Sequence, residues 1–462
     1  MIRIPRQPRA GTAQETGIGR GMSLRLSLAL GMGIAALGLG GCAAHKPKIK
    51  ATPTVGNRIP VLSHIESGTK VDTSLASMDV VVPAPEVNSQ WAQGGGTASK
   101  ASGHLALADA PRKVWSVRIA GSSPQQRLGA SPVVGGGLLY AMDTKGIVHA
   151  FDDNTGREKW QQGFRLPKKN DSIFGGGVSF DEGSVYITTG LGEVAALDAT
   201  DGKIKWRVKP AGPLRGAPTV AFGAVYVMTQ DNQIIALNIA DGTSLWNESA
   251  STTQSGVFGV AAPAAGQGTV IAGYSSGELV AYRYENGRQL WSDALARTSI
   301  ATSVSTITDI DADPIIESGH VYALGQGGRM AAYELVSGQR IWELNLAGIS
   351  TPAVAGEWIF TLTDEAKLLC IAKASGKVRW MSQLPRYVSP KKKEKPIFWT
   401  GPVLAGNKLW AANSRGQIVK VTVGDGTMAV AGRVNAPVTL APIVADKTLY
   451  VLDDSGAITA WR

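Results

Sequence analysis

One motif, copied again and again, limits what this chain can fold into more than any other feature. Ala150, Asp152, Gly156 and Trp160 recur in the same order as Ala196, Asp198, Gly202 and Trp206. The set returns as Ala236, Gly242 and Trp246, as Ala281, Gly287 and Trp291, and as Ala332, Gly338 and Trp342. A sixth copy puts Cys370 in the alanine slot before Gly376 and Trp380, and a seventh is degenerate, with Val430 after Gly426 where tryptophan is due. The tryptophans lie 38 to 51 residues apart, the period of one four-stranded propeller blade.

Each copy also reads as strands. Leu138–Met142, Val185–Thr189, Val225–Met228, Val321–Leu324, Trp358–Leu362 and Leu449–Leu452 are short runs rich in β-branched and aromatic residues between turn residues. A second run follows as a hairpin, and the Asp/Asn-to-Gly stretch turns the chain into a third that ends at the tryptophan. A small or polar residue before proline opens most copies, as in Ser131-Pro132, Ala217-Pro218, Asp313-Pro314 and Ala441-Pro442. Proline lacks a ladder donor and suits the start of an edge strand, here the innermost one.

The last copy stops at Trp461-Arg462, after its third strand, and lacks the tryptophan-bearing one. That missing strand appears before the first copy, around Trp115. The expected fold is therefore all-β, an eight-bladed β-propeller closed by an N-terminal strand that completes the last blade, with no open edge. A tryptophan ring could form a ligand cage, but one per blade at a fixed offset from glycine points to packing between blades. Cys370, in an alanine slot, reads as a small buried residue and not a nucleophile.

The chain divides into three parts. Residues 1–41 read as a signal peptide, with a true start possible at Met22: Arg25 precedes a short apolar run that is too brief to span a bilayer, and small residues lead to Cys42. Residues 42–85 lack the repeat and read as a flexible tether, and residues 86–462 as the propeller, with Val87–Gly96, Trp91 among them, expected to lie against it as an entry segment. Leu39, Gly40, Gly41 and Cys42 resemble a bacterial lipobox, which makes Cys42 the expected lipidation site. With Ala43 next and no aspartate there, the expectation is retention at the outer membrane.

Beyond the signal peptide the chain carries 41 basic and 35 acidic residues, too mild a surplus for a nucleic-acid footprint. The densest cluster, Lys391, Lys392, Lys393 and Lys395, reads as a solvated loop between prolines. The five histidines show no metal-ligand spacing, and no phosphate loop or nucleophile motif appears. No catalytic, cofactor-binding or metal residues are assigned, and no cofactor is expected.

The docking copies resemble those of the quinoprotein dehydrogenase propellers, over roughly residues 87–462. Those enzymes hold pyrroloquinoline quinone beneath vicinal cysteines with a calcium ion, and this chain has no vicinal cysteines. Two further stretches, Pro213 to Gly223 with Leu214 and Arg215, and Ile307 to Pro314 with Asp309 and Asp311, resemble segments of the outer-membrane barrel assembly lipoproteins of the same repeat family. That resemblance implies a non-catalytic scaffold on the periplasmic face of the outer membrane. The implied partner is BamA, met through its POTRA domains, with the rest of the BAM complex and possibly unfolded outer-membrane proteins. Its implied partner-binding residues are Leu214, Arg215, Asp309 and Asp311, pictured as one exposed patch on a rim of the disc. A quinoprotein-like enzyme, or another periplasmic binding propeller, is the alternative.

Overall fold

The computed structural model describes residues 69–164, 175–251, 261–295 and 308–462. Eight four-stranded antiparallel sheets make up these residues, with one two-stranded hairpin. Blade 1 runs Val133–Gly135, Leu138–Met142, Ile147–Asp152 and Glu158–Gly163 from the axis outward. Blades 2 to 7 repeat this order, opening with strands that begin at Gly176, Thr219, Ala264, Ile315, Ala353 and Trp399. Blade 8 takes Ile443–Ala445, Thr448–Leu452 and Ala457–Trp461 from the C-terminus and Lys113–Arg118 from the N-terminus. The expected closure is thus observed: Trp115 pairs with Ala460, Val117 with Ile458 and Arg118 with Ala457.

Burial grades outward across a blade. The second strand of blade 2, Ser184–Thr189, is buried at every position, whereas the outer strand of blade 1, Glu158–Gly163, fully buries only Trp160. An inner strand packs between two neighbouring blades and an outer one faces water, so the outer strands fully bury at most two residues each.

The tryptophans dock each blade onto the next. Trp115, Trp160, Trp206, Trp246, Trp291, Trp342 and Trp380 each donate Nε1–H to a backbone carbonyl of the following blade, at 2.8–3.1 Å. Each ring lies under the turn glycine of that blade. A Cβ added to Gly156, Gly202, Gly242, Gly287, Gly338, Gly376 or Gly426 would come within 2.4–2.8 Å of the ring. The degenerate seventh copy now has a cause. Blade 8 has no turn between its third and outer strands, because its outer strand Lys113–Arg118 comes from the other side of the ring's sequence, so a tryptophan at Val430 would have neither carbonyl nor glycine to meet. Trp410 is buried instead in the cluster that joins blades 7 and 8.

Gly338→Ala should lower stability by at least about 2 kcal/mol, since the new methyl meets Trp291 Cγ at 2.4 Å and φ is +70°. A thermal melt beside wild type checks this, and an unchanged midpoint would refute the docking account.

A strap precedes the closing strand. Residues 86–107 cross the inner strands at one end of the central channel and bond to seven of the eight blades. Asp446 N–H donates to Asn88 O, Phe180 N–H to Ala92 O, Ala265 N–H to Ala98 O, Ile316 N–H to Ser99 O and Gly406 N–H to Leu105 O, all at 2.7–2.9 Å. Trp91 and Val134 exchange two backbone bonds, and the Gln93 amide clamps Val220. His104 donates Nδ1–H to Pro83 O and accepts the Asn407 N–H at Nε2, which sets its tautomer. The strap satisfies backbone groups that the short inner edges would otherwise leave bare.

The boundary expected at residue 86 needs correction. Residues 69–85 also lie on the ring: Asp72 N–H donates to Val378 O, Leu75 is buried, and Val80 and Val82 pack on the core of blades 6 and 7. Docked chain therefore includes Thr69, whose hydroxyl donates to Asn345 O, well inside the span 42–85 expected as tether. Residues 1–68, Cys42 among them, lie outside the described residues.

Candidate functional site at the rim

The segments that lead into the opening strands gather on one rim of the disc. Leu214 and Arg215 lead into blade 3, and Asp309 and Asp311 into blade 5. Arg215 Nη2 donates to Asp309 Oδ1 at 2.8 Å and to Asp311 Oδ1 at 3.2 Å. Three of the four expected residues thus meet across 94 to 96 residues of sequence. Leu214 lies beside them, bridged to Thr229.

Their exposure is not as expected. Leu214, Arg215 and Asp309 are each 0% exposed and Asp311 only 9%, so the pictured surface anchor does not exist. Arg215 points inward because two carboxylates from another blade offer it charge-assisted partners there. Burial pushes the Asp311 carboxyl up to about 6, with the neighbouring Asp309 adding to the rise and Arg215 opposing it. Among the described residues, Arg215 Nε and Nη1 and Asp309 Oδ2 have no hydrogen-bond partner. The triad is an internal brace and imperfectly satisfied.

What it braces is the rim. Arg215 N–H donates to Met228 O, Arg215 O accepts from Gly176 N–H, Ile310 N–H reaches Tyr274 O and Gln326 N–H reaches Asp309 O. The ion cluster therefore ties together lead-in backbone from blades 2 to 5. Gly175 must be glycine here, since a Cβ would lie 2.3 Å from Arg215 O at φ +90°.

The remaining chemistry of the described residues is sparse. No three metal-ligating side chains cluster among them. Cys370 is fully buried, and burial raises its thiol far above the usual value, which keeps it protonated. The Lys391 cluster forms the tip of a hairpin, Tyr387–Ser389 with Glu394–Pro396, and its lysines are exposed.

Sequence reading missed one titratable group, His149. Its Nδ1 meets Glu158 Oε1 at 2.8 Å and its Nε2 meets Asp143 Oδ2 at 3.4 Å. Burial disfavours the imidazolium, but the hydrogen bonds to Asp143 and Glu158 outweigh it and raise the pKa above 6.5. A raised histidine stabilises the fold fully below its unfolded value and loses that contribution as pH rises through the folded one. Wild type should therefore melt lower at pH 8 than at pH 6 by a margin that shrinks in His149→Gln. Equal margins in the two proteins would refute this.

Fold and rim together define an eight-bladed propeller of the tryptophan-docking class whose most elaborate polar cluster serves the backbone of a loop-bearing face. The family model described as outer membrane protein assembly factor BamB matches residues 101–171 and 144–382. The chain belongs to this family. A Salmonella typhimurium protein of that name is 31% identical over 357 residues, covering 76% of this chain and 88% of its own length. The Escherichia coli protein of that name is 29% identical over 355 residues, covering 75% and 88%. The crystal structure of BamB from Moraxella catarrhalis superposes with a TM-score of 0.60 at 21% identity, covering 76% of this chain and 97% of that one. Quinohemoprotein alcohol dehydrogenase from Comamonas testosteroni gives a TM-score of 0.62 at 15% identity, covering 85% and 82%, which reflects the shared fold.

Proposed function

We propose that this protein is a non-catalytic scaffold of the outer-membrane β-barrel assembly complex, held by a lipid on Cys42 at the periplasmic face, and that it meets the POTRA domains of BamA with the braced rim. The observation that carries this reading is the meeting of Arg215 with Asp309 and Asp311 from two blades away. The segments that resemble the assembly lipoproteins are the two that the ion cluster clamps, and membership of the assembly-factor family supports the same reading. In it, Arg215 does not touch the partner. It positions the lead-in backbone around exposed Pro213, so its loss acts through the shape of the rim.

Tagged full-length protein, extracted from membranes, should capture BamA. Arg215→Met should reduce capture at least tenfold at a temperature where the ring remains folded by circular dichroism. Cys42→Ala should release the protein from the membrane fraction without changing capture by the detergent-solubilised ring. Undiminished capture by folded Arg215→Met would place the interface elsewhere.

A further inference from the structure

The strap closes one end of the central channel and leaves a funnel. Its volume is about 430 Å³, within the usual range for small-molecule sites. All eight blades contribute opening residues to the wall, Pro132, Pro352, Pro402 and Pro442 among them, and exposed Ile349 and Phe398 stand at the mouth. The wall is mainly apolar, and the strap supplies the floor through Trp91, Gly94, Gly95 and Lys100.

Lys100 is the unusual element. It is 2% exposed, at φ 64°, and its ammonium makes one hydrogen bond, to Thr219 Oγ1 at 3.0 Å. Thr219 passes its own hydrogen to Pro263 O, so the network ends there. An ammonium has three donors, and the other two are unused among the described residues. Asp313, half-buried and open toward the funnel, faces the same floor beyond ion-pair distance of Lys100, with one oxygen taken by Ala262 N–H. Gly94 lies between them: a Cβ there would stand 3.7 Å from Asp313 Oδ2 and 4.0 Å from Lys100 Nζ. A donor and an acceptor thus face one gap that the sequence keeps free of side chain. Burial lowers the Lys100 pKa to about 8, against the pull of Asp313, and raises that of Asp313 despite Lys100, as a poorly hydrated pair requires.

We propose that the funnel floor binds an uncharged amide flanked by apolar groups, its carbonyl accepting from Lys100 and its N–H donating to Asp313. The charge balance selects this class. Lys100 and Asp313 together are neutral, and Asp311, the other carboxylate of the wall, shares the one cation Arg215 with Asp309, so this cluster too is neutral below about pH 6, where the raised Asp311 carboxyl holds its proton. A carboxylate or an ammonium entering such a site would leave one buried charge without a counterpart, whereas an amide satisfies both groups and adds none. The apolar wall takes the flanking side chain, as in an end-blocked hydrophobic amino acid or a short peptide. The proposal is independent of the partner reading, since the floor lies inside the ring and not on the rim.

Calorimetric titration of the full-length detergent-solubilised protein below pH 6, where Asp311 is protonated, tests it with three probes of similar size: N-acetyl-leucinamide, hexanoate and hexylammonium. The amide should bind at least tenfold more tightly than either charged probe. Gly94→Leu should abolish this, because its side chain fills the gap at ordinary contact distance and without positive φ. Lys100→Met should weaken it at least tenfold. Unchanged melting temperatures in both variants keep the loss attributable to the site. Preference for either charged probe, no amide binding at 10 times the concentration typical of weak fragments, about 10 mM, or equal binding by Gly94→Leu would each overturn the proposal.

Discussion

Arg215→Met is expected to lower the free energy of unfolding by about 3–5 kcal/mol, because it leaves Asp309 and Asp311 buried without their cation. A surface anchor at the same position would cost almost nothing in stability, so this one measurement separates the two roles. Replacing all three residues by apolar ones should recover most of the loss. Among the described residues the native cluster already leaves Arg215 Nε, Arg215 Nη1 and Asp309 Oδ2 unpaired, and the desolvation of three buried charges keeps its net contribution modest. The pH dependence supplies a second test. With the folded Asp311 carboxyl near 6 and the ordinary aspartate value at 3.8, the folded state alone holds this proton between about pH 4 and 6. The contribution of Asp311 therefore falls as pH rises through that window, and Asp311→Asn should flatten it. Denaturant melts at pH 4 and pH 6.5 compare the two. An Arg215→Met melt within about 0.5 kcal/mol of wild type, the margin of an ordinary surface change, would sink the brace.

The ring was legible in the sequence because its repeat is a packing device. Glycine and tryptophan recur at one offset since each glycine receives the ring from the blade before it, and Val430 breaks the pattern where no receiving turn exists. The meeting of Arg215 with Asp309 and Asp311 was legible too, once all lead-ins were assigned to one rim. Their burial was not. An arginine that pairs inside a protein is the same letter as one in water, and the lead-ins read as polar turns either way. The entry segment Val87–Gly96 was legible as chain lying against the propeller, but the continuation of the strap to residue 107 and the docked residues 69–85 were hidden for a different reason. Their hydrogen bonds run across successive blades instead of along one strand, so neither the two-residue nor the blade period marks them. Lys100 fell in that blind region, which is why the funnel floor left no motif.

The closing strand should be the most sensitive backbone in the molecule. It contributes to blade 8 across more than 300 residues of chain, so it is the last contact the ring can make and the one that removes its open edge. Register then dictates which substitutions matter. Ile119 N–H donates to Gly456 O at 2.9 Å, and hydrogen-bonded pairs alternate along an antiparallel ladder. Val117, opposite Ile458, therefore turns its N–H toward the partner strand, while Ser116, opposite Thr459, turns its own to solvent. Val117→Pro deletes a ladder bond and forces the ring of proline into the seam, at a cost of about 3 kcal/mol or more. Ser116→Pro, one residue away on an outermost strand with its N–H outward, should cost far less. Val117→Ala separates the backbone effect from lost packing, since it removes the half-buried side chain and keeps the donor. In thermal melts the order of stability should be wild type, then Ser116→Pro and Val117→Ala, then Val117→Pro, with the last also prone to associate through the uncovered edge of Ala457–Trp461. If Ser116→Pro proves the more damaging of the two prolines, the register of the closing strand is wrong by one residue.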